Sequence, residues 1–165
     1  SSDLKQSGAA AVKLEGGAER ATQIEAIVSA GIPVMGHLGF TPQSVHSLGG
    51  FKVQGRGDKA AQLMQDALAL EKAGAFAIVL ELVPMDIAGE ISAALTIPTI
   101  GIGAGPKTDG QILVWTDFAG LSGHKPRKFV KQYAQMRNLL AEAAVSYKNE
   151  VETSVFPDEA TSFAE

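Results

Sequence analysis

The chain has 165 residues, 45% of them hydrophobic, enough for one core of ordinary size and too apolar for a disordered tail. Eighteen acidic against fourteen basic side chains give a net charge of -4 with no basic stripe, which argues against nucleic acid as a partner. No apolar run approaches the roughly 20 residues that cross a bilayer and no signal-peptide pattern opens the chain, while the absence of cysteine removes disulfide frameworks, thiol nucleophiles and thiolate metal sites, so a cytoplasmic location is expected.

In chain order, short β-branched runs alternate with amphipathic stretches, and Gly, Pro or Asp marks each switch. The pattern predicts a strand over 9–14, then a helix over 19–30 with Ile24, Ile27 and Val28 on one face and Gly31 after it. A strand over 32–36 follows. After a long glycine-rich connection containing Gly49, Gly50, Gly55 and Gly57, Asp58 is placed to cap a helix that turns Leu63, Ala67 and Leu70 inward and ends at Gly74. Next come a strand over 75–83, a short helix after Pro84 bearing Ile87, Ile91 and Leu95, a strand over 97–102 and another over 112–115. The longest helix is expected from Pro126 to Val151, with Phe129, Val130, Tyr133, Met136, Leu140, Ala144 and Tyr147 as a core-packing stripe.

Two internal echoes sharpen the fold class. Residues 4–15 (LKQSGAAAVKLE) match 70–81 (LEKAGAFAIVLE), and Ile32–Gly36 matches Ile97–Gly101, at nearly the same offset. A two-module βα unit used twice favours a βα barrel over an open, doubly wound sheet. Five strands are too few for an eight-unit barrel, which usually needs about 250 residues. The expectation is a single α/β domain over 1–165 that forms part of a barrel, entered partway round.

In such a barrel the active site lies at the C-terminal ends of the strands. Lys13 and Glu15, two apart, point to one face of an extended chain and make either a site for an anionic ligand or metal, or a mutually satisfied ion pair. Glu81 stands in the apolar run Ala77–Val83 at the position equivalent to Glu15; pointing inward, it would be partly desolvated, as a general base is, whereas pointing outward it would be a surface carboxylate. His37, between Gly36 and Gly39, is either a structural histidine or a pocket residue, and His46 and His124 carry no signal. Gly101–Gly105 does not open a helix and so fails as a dinucleotide fingerprint; its glycines suit a tight turn or close approach to a ligand.

Together, Val12-Lys13-Leu14-Glu15-Gly16-Gly17, Gly36-His37-Leu38-Gly39-Phe40-Thr41-Pro42-Gln43, Gly49-Gly50-Phe51, Val53-Gln54-Gly55-Arg56, Ile97-Pro98 and Gly101-Ile102-Gly103-Ala104-Gly105 resemble the ketopantoate hydroxymethyltransferase family, and Asp109–Val114 and the tail around Phe156-Pro157 and Ser162-Phe163 continue the match. The resemblance implies a (β/α)8 TIM barrel of the phosphoenolpyruvate mutase-like type, of which about the last five βα units are present. It also implies transfer of a hydroxymethyl group from 5,10-methylenetetrahydrofolate to 3-methyl-2-oxobutanoate, giving 2-dehydropantoate in pantothenate biosynthesis. By the same resemblance Lys13 contacts the keto acid, Glu15 belongs to a Mg2+ site, Glu81 is the proton acceptor, and the enzyme is a homo-oligomer acting on small molecules. His37 receives no chemical step.

The Asp-Ser pair and further Asp that the family's first strands supply have no match here, so the chain is expected to need those strands, and the tail lacks the family's His before Ser162-Phe163. Two rival readings remain at this point. One is another Mg2+-dependent 2-oxo acid lyase or mutase on the related barrel; the other is a non-catalytic fragment that lacks the metal carboxylates.

Overall fold

The computed structural model describes residues 6–41, 54–55, 57 and 59–163. They fall into two compact units, the first ending at Ile112 and the second starting at Leu113.

The first unit is a parallel five-stranded sheet with helical crossovers. Strand β1 (Val12–Glu15) leads through a 3-10 turn (Ala18–Arg20) into helix α1 (Ala21–Ser29), and β2 (Val34–Gly39) precedes α2 (Lys59–Lys72). Then follow β3 (Ala77–Glu81), α3 (Met85–Ala94), β4 (Thr99–Ile102) and the short β5 (Gly110–Gln111). The strands lie in sequential order, β1-β2-β3-β4-β5, and every neighbouring pair is parallel. An order that never reverses distinguishes this sheet from a doubly wound one, whose ligand crevice sits where the order turns back. The α/β class and partial barrel-like wall expected from the sequence are therefore present.

Period-two alternation divides the sheet into two unlike faces. Val34, Leu38, Ile78 and Leu80 join Ile24 of α1, Leu63, Ala67 and Leu70 of α2, and Ala88 and Ile91 of α3 in one core, with Val12 and Leu14 packed at its margin. The helix faces drawn from the sequence are those that are buried. At roughly 1.5–3 kcal/mol for each large aliphatic side chain taken out of water, this contact holds the helices to the sheet. Lys13, Glu15, Met35, His37, Val79 and Glu81 have the opposite parity and share the other face.

Two carboxylates anchor the connections around β4. Glu71 of α2 accepts hydrogen bonds from Thr96 N (2.6 Å), Thr96 Oγ1 (2.8 Å) and Ile97 N (3.1 Å), and the backbone and hydroxyl donors of Thr96 hold its carboxyl below the usual range. Asp109 accepts from the N–H and hydroxyl of Thr99, which lower it likewise and tie the start of β5 to β4. Thr99 is itself fully buried and shares a 2.6 Å hydroxyl contact with Ser92 of α3.

The fifth strand differs from expectation. Pairing to Ile100 and Gly101 is made by Gly110 and Gln111, not by residues 112–115. Ile112 extends this ladder by one bond to the Gly101 carbonyl, but the Val114 carbonyl accepts from Asp117 and Phe118 and so begins a helix instead.

The second unit contains helix α4 (Trp115–Phe118), helix α5 (Met136–Glu152) and a 3-10 turn (Glu159–Thr161). Its long helix begins ten residues later than the sequence pattern suggests. The N–H groups of Tyr133, Met136 and Arg137 bond the carbonyls of Phe118, Ala119 and Gly120, so the preceding stretch spends its backbone on the loop after α4 rather than on a helical ladder. The expected core-packing stripe is also corrected: no residue of α5 is buried, and Leu139, Leu140, Val145 and Tyr147 are each more than half exposed. The Tyr147 ring meets Phe156 edge-on at 5.7 Å, and Asp158 and Thr161 form a reciprocal capping box.

Glu71→Ala should lower stability at neutral pH by about 1–2 kcal/mol, because it removes a charged acceptor of three hydrogen bonds. Since folding depresses the Glu71 pKa, that contribution is present above its unfolded pKa and is lost as pH falls through its folded value. Urea titrations of parent and variant across the acid range should converge at low pH; a gap that stays constant would refute the electrostatic origin.

Candidate active site

The C-terminal ends of β1, β2 and β3 gather four polar side chains on the face opposite the helices. Glu15 lies in register with His37, and Glu81 with Gly39. The His37 ring is 2% exposed and stands between the two neighbouring strands. Its Nδ1 is 3.1 Å from Lys13 Nζ and 3.8 Å from Glu15 Oε1, while its Nε2 is 3.1 Å from Glu81 Oε2. Although that last contact is close enough for electrostatic attraction, the ring nitrogen is out of line with the oxygen, and Nε2 is a buried polar atom without a hydrogen bond.

The three residues proposed from sequence are therefore brought together, and the fourth lies at their centre. Lys13 and Glu15 do share a face, but their 4.0 Å pair with a half-exposed lysine is a weak surface interaction. The shorter contact of Lys13 is to His37. Glu81 points inward, as its apolar surroundings suggested: all five residues of β3 are buried, and Glu81 itself is 8% exposed. The centrality of His37 was missed, because its partners come from strands 22 to 44 residues away; equal parity with Lys13, Glu15 and Glu81 at a strand end was the available signal.

Backbone geometry fixes where Glu81 sits. Phe40 N donates to the Glu81 carbonyl at 2.8 Å. Gly39 beside it has φ +88°, and a Cβ there would run into that same carbonyl and the Val83 side chain. Beyond the strand, Leu82 takes a left-handed φ of 52°, with its N–H bonded to Ile102 O and its carbonyl accepting from Gln54 N. A non-glycine residue in that region costs on the order of 1–3 kcal/mol, held here by bonds on both sides.

A cleft of about 420 Å³ opens beside this group, between the turn after β1, the end of β2 and α2. Gly16, Gly17, His37, Gly39, Thr41 and Asp66 contribute to its wall, and His37 is the member of the polar group that reaches it. Asp66 of α2 crosses to the turn by accepting from Ala18 N, and packs so closely over Gly17 that any side chain there would collide with its carboxylate.

Among the described residues, no group of three or more His, Asp or Glu side chains is arranged to hold a metal. Glu15 offers one carboxylate at the strand ends, which suits a single oxygen ligand of a hydrated Mg2+ but does not make a complete site. Gly103 and Gly105 adopt positive φ, and Gly105 packs against Met85 at the start of α3, so the tight-turn reading of that segment holds. His124 is exposed, with only a 3.4 Å contact to a neighbouring carbonyl. Asp58, His46, Pro42, Gln43 and residues 49–53 and 56 lie outside the described residues.

The sequence profile described as ketopantoate hydroxymethyltransferase matches residues 2–159. Proteins named 3-methyl-2-oxobutanoate hydroxymethyltransferase from Acidothermus cellulolyticus, Leifsonia xyli and Mycobacterium tuberculosis are each 58% identical over 160 residues, which is 97% of this chain and 59%, 58% and 57% of theirs respectively. The chain thus spans less than two thirds of the length of these curated relatives.

Gly39→Ala should cost roughly 2–4 kcal/mol, since it combines left-handed strain with a collision against backbone that cannot rotate away. Denaturant unfolding of the variant checks this; a loss below 0.5 kcal/mol, the ~0.5 kcal/mol of ordinary surface changes, would show that the turn relaxes freely.

Proposed function

The chain belongs to the ketopantoate hydroxymethyltransferase family, and from that membership and the cluster at the strand ends we propose that it carries the proton-transfer part of a 3-methyl-2-oxobutanoate hydroxymethyltransferase active site. The reaction adds a one-carbon unit from 5,10-methylenetetrahydrofolate to the carbon next to the keto group and yields 2-dehydropantoate. The observation that carries the reading is a buried carboxylate, Glu81, held beside a lysine–histidine pair at the C-terminal end of a parallel sheet.

A carbon acid needs a base that is not spent on hydration and a positive charge near the oxygen that becomes an enolate. Glu81 fits the first role. It takes the proton from C3 of the keto acid, and the enolate carbon attacks the methylene carbon of the folate adduct as one of its two carbon–nitrogen bonds breaks. Water then displaces the second nitrogen and supplies the hydroxyl oxygen, while the two released nitrogens take up the proton held by Glu81 and one proton of the water. Lys13 fits the second, with an ammonium that is half exposed and free to reach the substrate carboxylate or keto oxygen. Glu15 would supply one ligand to Mg2+, which when bound polarises a carbonyl oxygen; its other ligands come from outside the described residues. Within the family framework the five strands form part of a closed (β/α)8 barrel of the phosphoenolpyruvate mutase-like type, in a cytoplasmic homo-oligomer.

Product formation by the enzyme that carries this chain should require both the keto acid and the folate adduct. Glu81→Gln should lower kcat by about 10²–10⁴-fold with little change in KM for the keto acid. Turnover by cleavage or rearrangement of the keto acid without folate would favour the lyase or mutase reading, and an undiminished kcat in the variant would remove Glu81 as the base.

A further inference from the structure

His37 has a position the proposed chemistry has not used. It is the most deeply buried member of the group, it contacts all three others, and its two nitrogens face partners of opposite character. A lysine ammonium has three donors and no acceptor, so the nitrogen it approaches must offer its lone pair. Lys13 Nζ is 3.1 Å from Nδ1, within hydrogen-bond reach, while the competing Glu15 oxygen is at 3.8 Å, beyond it. Nδ1 is therefore the acceptor, and the single ring proton sits on Nε2. That nitrogen is the one without a hydrogen bond, 3.1 Å from Glu81 Oε2 but out of line with it. Donor–acceptor contacts at active sites are often poorly aligned until substrate is bound.

We propose that His37 is a positioning residue for Glu81: Lys13 fixes the ring tautomer, and the resulting Nε2–H holds one Glu81 oxygen so that the other faces the carbon to be deprotonated. This inference rests on the reading of Glu81 as the base. It also gives Lys13 a second task, because the same ammonium that would meet the substrate sets the donor that orients the carboxylate. The proton taken from carbon goes to the oxygen that His37 does not hold, so the ring keeps its own proton and needs no relay. A lysine that moved toward an arriving substrate while keeping Nδ1 within reach would link substrate binding to alignment of the base.

Side-chain reach separates the two halves of the claim. His37→Gln keeps an N–H donor near the Nε2 position, whereas His37→Asn keeps an acceptor near Nδ1 and cannot reach Glu81. In the enzyme that carries this chain, the Gln variant should retain kcat within about tenfold, while Asn and Ala lose on the order of 100-fold, as misplaced catalytic groups do, with KM for the keto acid nearly constant throughout. A purely structural histidine would instead lower thermal stability in all three variants and show no advantage for Gln. Should the buried substitutions prevent folding, ring nitrogen NMR of unmodified protein decides: Nε2 protonated and Nδ1 unprotonated is expected, with the preference lost in Lys13→Met. A proton on Nδ1, or Asn equal to Gln in a folded enzyme, overturns the proposal. If Glu81→Gln turned over normally, the reading of the base itself would fail; an inactive Glu81→Gln together with an unprotonated Nε2 would overturn only the role of His37.

Discussion

A parallel strand has one side chain up and the next one down, and among the described residues the helices of the first unit pack on one of those sides. Every consequence for the site follows from that asymmetry. Val34, Leu38, Ile78 and Leu80 meet the helices and supply the hydrophobic contact, which leaves the alternate positions to carry chemistry without weakening the core. Because β1, β2 and β3 are in parallel register, their alternate positions converge at one end, where Lys13, Glu15 and Glu81 each come within 3.8 Å of His37. A carboxylate as buried as Glu81 is costly to desolvate, and the group facing it is the His37 ring nitrogen 3.1 Å away.

The supporting structure concentrates on holding those strand ends still. Gly39 lets the chain turn against the Glu81 carbonyl, Leu82 bends sharply behind it, and Asp66 clamps the turn after β1 to α2. Glu71 and Asp109 anchor the segments that flank β4, the strand on the far side of β3. Rigid placement matters for the proposed reaction because a base displaced by about 1 Å loses much of its effect.

Local pattern carried much of the fold into view. Apolar spacing located α1, α2 and α3 with the faces they bury, and the echo between residues 4–15 and 70–81 equated Glu15 with Glu81, both of which end a strand. Features decided by distant hydrogen bonds were not legible. Residues 126–135 have helical spacing, yet Tyr133 and Met136 donate to carbonyls near α4, and the β-branched run at 112–114 gives way to a helix because Val114 begins one. His37 illustrates the same limit at the site: its sequence neighbours are glycines and a leucine, while its chemistry comes from Lys13 and Glu81 across the sheet.

Proton removal from the carbon beside the keto group is the step on which the account stands, and it can be read without the one-carbon donor. With 3-methyl-2-oxobutanoate in heavy water, the enzyme that carries this chain should exchange the C3 hydrogen for deuterium while forming no product, as followed by proton NMR. Exchange no faster than the uncatalysed background, in a preparation that makes 2-dehydropantoate once the folate adduct is added, would contradict a separately formed enolate.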